Sequence, residues 1–199
     1  MSFLEIQTQT GWGQVLESFA AWCAPQPGWL TLDVGCGPGL LPALLAQRGC
    51  QAFGVDLDLE SLQSRLQPGL AAQANALFLP FPDKTFDLVT ASNLLFFLPN
   101  AVGVLVEMKR LLRPGGQAAT LNPSEHMSIA AATALADRHG LQGLARDSLI
   151  GWAKRAEANR RWGEAETIML FTLAGLVVTK MELKVGPGLA RFVSSIQQP

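Results

Sequence analysis

Eight residues, Leu32-Asp33-Val34-Gly35-Cys36-Gly37-Pro38-Gly39, restrict this chain more than any other stretch. A short β-type run, Trp29 to Val34, leads in, and a helical pattern, Leu40 to Gln47, leads out and is closed by Gly49. Glycines this dense between strand and helix let the backbone turn sharply and come within contact distance of a ligand, where side chains would block both. Pro42 falls in the first helical turn, where no amide donor is needed. The next apolar run, Gln51 to Val55, ends in Asp56, 21 positions after Gly35. Strand, glycine turn, helix start and a carboxylate about 20 residues on are the parts of a nucleotide-binding βαβ unit, in which the acid takes both hydroxyls of a ribose.

The third glycine selects the ligand class. A dinucleotide site reads G-x-G-x-x-G and brings a helix N-terminus against a pyrophosphate. Here the spacing is Gly35-x-Gly37-x-Gly39, and Leu40 stands where the third dinucleotide glycine belongs. The bulkier helix start suits a ligand without phosphates. Two further segments follow in order, Asn75-Ala76-Leu77-Phe78-Leu79-Pro80-Phe81-Pro82-Asp83-Lys84-Thr85-Phe86-Asp87-Leu88-Val89 and Glu107-Met108-Lys109-Arg110-Leu111-Leu112-Arg113-Pro114-Gly115-Gly116. From Leu32 to Asn122 the chain resembles the class I S-adenosylmethionine-dependent methyltransferases, closest to the small-molecule kind called type 11. In that resemblance the first segment is the cofactor loop, the second the adenine loop and fourth strand, and the third the helix and turn before the fifth strand. It implies S-adenosylmethionine as cofactor, S-adenosylhomocysteine as product, and no metal.

Periodicity predicts an amphipathic helix on Trp12, Val15, Leu16, Phe19, Ala20 and Cys23, within residues 11–24 and ended by Gln26-Pro27-Gly28. Alternating units follow: strand 29–34, helix 40–48, strand 51–56, helix 58–66, a break at Pro68-Gly69, and strands 71–75 and 86–91. Helix 100–112, a turn at Pro114-Gly115-Gly116 and strand 117–121 come next. Such alternation predicts an α/β fold with a parallel sheet and helices on both faces. Residues 124–162 read as a helical insertion after the fifth strand, jointed at Gly140, Gly143 and Gly151. A helix at 164–174 and strands 177–184 and 189–195, hinged by Gly186-Pro187-Gly188, close the chain. The resemblance makes this a Rossmann-like, seven-stranded sheet, mostly parallel, with its last strand antiparallel.

At 199 residues the chain suits one domain, 1–199, whose core needs no disulfide staples. Its apolar runs are all shorter than the ~18–20 residues that cross a bilayer, and Met1 to Gln9 is not ordered like a signal peptide. Cys23, Cys36 and Cys50 have no metal-ligand spacing, so a reducing cytoplasm is expected. A net charge of −1 argues against a nucleic-acid surface. The expected partner is a small-molecule substrate, with neither nucleic acid nor membrane, on a monomer or homodimer.

The resemblance also assigns roles. Gly35, Cys36, Gly37 and Gly39 form the loop around the methionine and ribose moieties, and Asp33 orders it and helps place the amino group. Asp56 takes the ribose. Asn75, where the family often has Asp, offers a carbonyl to the adenine amino group, Ala76 offers its backbone amide, and Leu57 an apolar wall. Ser92, with Asn93 and Leu94, follows the fourth strand at the sheet's carboxyl edge, where open α/β sheets bind ligands. The acidic or Asn-Pro-Pro-aromatic motif of amide and amine methyltransferases is absent there, and Phe96 and Phe97 replace a histidine-bearing pattern. His126 is the candidate general base, because an imidazole titrates near neutrality. Its competing reading is a surface histidine in a first helical turn capped by Ser124, and His139 reads as a helix C-terminal residue. The basic cluster Lys154, Arg155, Arg160 and Arg161 reads either as an anion attractor or as a solvated helix face. The chain has no tyrosine, so Trp12 or Trp152 is left to form a lid.

Methyl transfer from a sulfonium needs in-line geometry more than acid–base groups, and proximity can supply roughly 7–11 kcal/mol. The function expected is therefore methyl transfer to a small molecule by proximity and desolvation. The alternative is a catalytically degenerate cofactor-binding protein with a regulatory or structural role. A dehydrogenase is disfavoured by Leu40, and aminopropyl transfer by Ser92 and Asn93, which stand where it needs carboxylates.

Overall fold

A computed structural model describes residues 3–63 and 71–197. Strands β1 (Leu30–Val34), β2 (Gln51–Asp56), β3 (Ala71–Gln73), β4 (Phe86–Ser92), β5 (Leu112–Pro123), β6 (Leu176–Lys184) and β7 (Ala190–Gln197) form one sheet. Its order is β3-β2-β1-β4-β5-β7-β6. β1, β2, β3, β4 and β5 pair in parallel, while β7 runs antiparallel to both β5 and β6. The Rossmann-like seven-stranded sheet with its last strand reversed is thus present. Both faces are covered, so the strands carry apolar residues to either side. Leu88 and Leu121 pack with one core cluster, and Val89 and Ala91 with the other.

The helices are α1 (Phe3–Gln9), α2 (Gly11–Trp22), α3 (Leu40–Gln47), α4 (Leu59–Gln63), α5 (Ala101–Leu111), α6 (Ile129–Arg138), α7 (Gly143–Glu157) and α8 (Glu164–Leu173). The expected amphipathic helix is α2, which buries Leu16, Phe19 and Ala20 and is capped where the Thr10 side chain accepts the Trp12 amide. No helix was expected from Met1 to Gln9, yet α1 lies there. It packs closely because residue 13 is glycine: a Cβ there would stand 2.6 Å from the Gln7 carbonyl oxygen. The end of the helix expected at 58–66 and the Pro68-Gly69 break lie outside the described residues. None of the described helices is long and apolar enough to cross a membrane.

Four local expectations are corrected. β5 begins at Leu112 rather than 117, because Leu112 pairs with Phe86 before the ladder slips to Leu88 opposite Gln117. Pro114-Gly115-Gly116 is an irregularity inside the strand, with Gly115 at φ 80°. Gly151 is no joint, since α7 runs through it unbroken. Nor does Ser124 cap a helix: Ser128 caps α6, and the Ser124 hydroxyl donates to the Gly188 carbonyl, tying the β5 end to the β6–β7 turn.

The strand order reverses between β1 and β4, with β2 and β3 on one side and β5 on the other. At such a switch point the loops leaving the carboxyl ends diverge and open a crevice. Gly35, Asp56 and Ser92 stand at the ends of β1, β2 and β4.

Candidate functional site

The turn after β1 folds back on β2, where the amides of Gly35 and Cys36 both donate to the Val55 carbonyl, at 2.8 and 3.0 Å. Asp56 fixes the rest. One carboxylate oxygen accepts the Gly37 amide at 2.7 Å and the other the Asp58 amide at 2.9 Å. A carboxylate offers about four lone-pair sites, so two remain open to an outside donor. Gly35 holds φ 76°, and a Cβ there would come 3.0 Å from Leu94 Cδ1. A side chain at this position meets both backbone strain and Leu94.

Behind the turn, Asp33 is buried and its Oδ1 accepts the Thr90 hydroxyl at 2.8 Å. Burial pushes its pKa up to about 8, the Thr90 bond opposes this, and the negative field of Asp56 adds to it. At neutral pH the protonated form therefore predominates. Asp33, Cys36, Gly37 and Gly39 line neither cavity described next. Of these, Gly37 holds Asp56 through its amide, while the Gly39 amide closes the turn on the Cys36 carbonyl.

Two cavities meet at this edge, and both are bordered by Gly35, Asp56 and Leu94. The smaller, about 120 Å³, is walled by Leu57, Asn75, Ala76 and Leu77, among others. Leu57 is 66% exposed, so it is wall rather than core. The Asn75 carbonyl already accepts the Leu77 amide at 3.0 Å, a local turn that leaves it one lone pair for an outside donor.

The larger cavity, about 740 Å³, is mostly apolar and lies between the carboxyl edge and helices α1, α2, α6 and α7. Trp12 and Trp152 both line it, edge to face with centroids 5.0 Å apart. The Trp152 indole N–H donates to Asn93 Oδ1 at 3.0 Å. Asn93 itself sits in the left-handed region, φ 53°, which short polar side chains tolerate. It thereby anchors α7 to the loop after β4, a role the sequence reading missed. An Asn directly after a strand was the available hint. Ser92, Phe96 and Phe97 also reach this cavity.

His126 does not. It is exposed, with Nε2 3.8 Å from Glu125 Oε1, and borders neither cavity. His139, the C-cap of α6, lines the larger one. Of the basic cluster only Arg155 lines it, while Arg161 donates to the Met127 carbonyl.

Residues 32–120 match the family described as a methyltransferase domain. An uncharacterized methyltransferase of Schizosaccharomyces pombe is 33% identical over 151 residues, 61% of this chain and 54% of that protein. A ubiquinone biosynthesis O-methyltransferase of Leptothrix cholodnii is 35% identical over 101 residues, 45% of this chain and 42% of that one. The chain thus spans about half the length of these curated relatives. The crystal structure of magnesium protoporphyrin IX methyltransferase from Synechocystis with bound S-adenosylhomocysteine superposes with a TM-score of 0.69. It shares 17% identity and covers 100% of this chain and 89% of that one.

Proposed function

We propose that this chain is a class I S-adenosylmethionine-dependent methyltransferase, as its similarity to methyltransferases supports, and that it transfers a methyl group to a small molecule with a largely apolar body. The observation that carries this reading is the junction of the two cavities at Gly35, Asp56 and Leu94. The small cleft suits an adenine, held between Leu57 and Leu77 with Asn75 and Ala76 supplying polar contacts. Asp56, still with two free lone pairs, would hold the ribose, and Gly35 gives the backbone access to the methionine moiety. When bound, S-adenosylmethionine supplies an electrophilic methyl group on a sulfonium.

The residues around the larger cavity orient the acceptor and exclude water. Trp12 and Trp152 close its helical side, and Asn93 fixes Trp152 against the loop that follows β4. Holding reactants in near-attack geometry can contribute roughly 7–11 kcal/mol, and dry walls strengthen every polar contact inside. We read α2 (residues 11–24 of the sequence pattern) and the 124–162 insertion as the substrate lid of a single domain. Proton handling is not assigned to His126, which lies off the cavity; His139 is the imidazole at its rim. Isothermal calorimetry tests the reading: S-adenosylhomocysteine should bind and NAD should not. Preferential NAD binding sinks it.

A further inference from the structure

We propose that the methyl acceptor is an amphipathic carboxylic acid, its apolar body in the tryptophan-walled chamber and its carboxylate on Arg155. The identity of the chamber as an acceptor site rests on the transferase reading above; the anion site rests on its own geometry. The chamber walls are apolar, formed by side chains such as Trp12, Val15, Phe97 and Leu149. A ligand buried against them must be largely apolar, and a few polar groups then set its orientation.

Arg155 is the cation on that wall. Among the described residues its side chain makes no ion pair or hydrogen bond, whereas Arg48, Arg110, Arg113, Arg146 and Arg191 are all paired with carboxylates. Although the residue reaches solvent, burial lowers its pKa and no anion offsets this. The carboxylate that shares the cavity, Asp56, is engaged by the Gly37 and Asp58 amides. Glu157, on the same helix, accepts the Ile129 amide.

Gly151 marks where the guanidinium lies. It lies one turn before Arg155 in the interior of α7, where glycine is unfavourable. A Cβ at 151 would meet a single neighbour within 4 Å, Arg155 Nη1 at 3.6 Å. That distance is an ordinary contact, and it records that the guanidinium folds back along the helix over the preceding turn. A planar fork of donors held in this way matches a carboxylate's two oxygens.

The test uses 2-naphthoate and its uncharged isostere 2-naphthamide, titrated calorimetrically into the intact protein with and without saturating S-adenosylhomocysteine. The acid should bind at least about tenfold more tightly than the amide, as expected for a charge-assisted pair. Arg155→Gln should abolish that preference and leave amide affinity unchanged. Lys154→Gln, one residue away and off the cavity, should keep it. Equal affinity for acid and amide, no binding of the acid, a preference surviving Arg155→Gln, or equal loss in Lys154→Gln each overturns the proposal. Absent S-adenosylhomocysteine binding beside an intact acid preference would instead fault the transferase reading alone.

Discussion

Asp56 serves the site twice with one carboxylate: it pins the glycine turn through the Gly37 amide and faces both cavities. Asp56→Ala should weaken S-adenosylhomocysteine binding by about 2–4 kcal/mol, two charge-assisted hydrogen bonds less partial replacement by water. Unchanged calorimetric affinity in a folded variant removes Asp56 from the site. Asp33 makes a different prediction. Its folded pKa, about 8, lies above the unfolded value of about 3.9. Between these values the unfolded chain has lost the proton that the folded one keeps, so unfolding releases protons and stability falls as pH rises. Urea denaturation at pH 5 and pH 8 should show wild type losing more stability across the interval than Asp33→Asn. Equal losses would mean that the buried carboxyl does not titrate there.

At the scale of elements, α7 brings both Trp152 and Arg155 to the larger cavity. Gly151 interrupts nothing, and a methyl group there would make only an ordinary contact with Arg155. Gly151→Ala should therefore raise stability by about 0.5–1 kcal/mol through helix propensity, measured as a shift in the urea midpoint. A loss of stability would mean that the glycine supports a backbone distortion. If α2, α6 and α7 close over ligand, S-adenosylhomocysteine should slow amide exchange in residues 9–23 and 124–162 as well as in the glycine turn. Protection confined to residues 33–39 and 56 would leave these helices as fixed walls.

Across the whole molecule, β7 is the keystone of the sheet, since among the described residues it is the sole strand partner of β6 and the second partner of β5. Ending the chain after Val185 should strand β6 and abolish the cooperative thermal transition; a sharp transition in that variant would show that the rest of the sheet folds without β7. The reversed last strand came from the family resemblance; the residue pattern determined the βαβ unit, Asp56 at its second strand end and the alternation that builds a sheet covered on both faces. These follow from interactions between residues close in sequence: glycine conformational freedom, strand and helix periodicity, turn residues. It also brought forward Trp12, Trp152 and Arg155, though without ranking them above their neighbours. Which residues meet was decided only by the tertiary structure. His126 faces solvent while His139 reaches the cavity, Asn93 takes the indole N–H of Trp152 59 residues away, and α1 folds onto α2 through Gly13. Each depends on how a helix is rotated about its axis and seated on the sheet, and that rotation is set by packing among distant side chains, which no local pattern encodes.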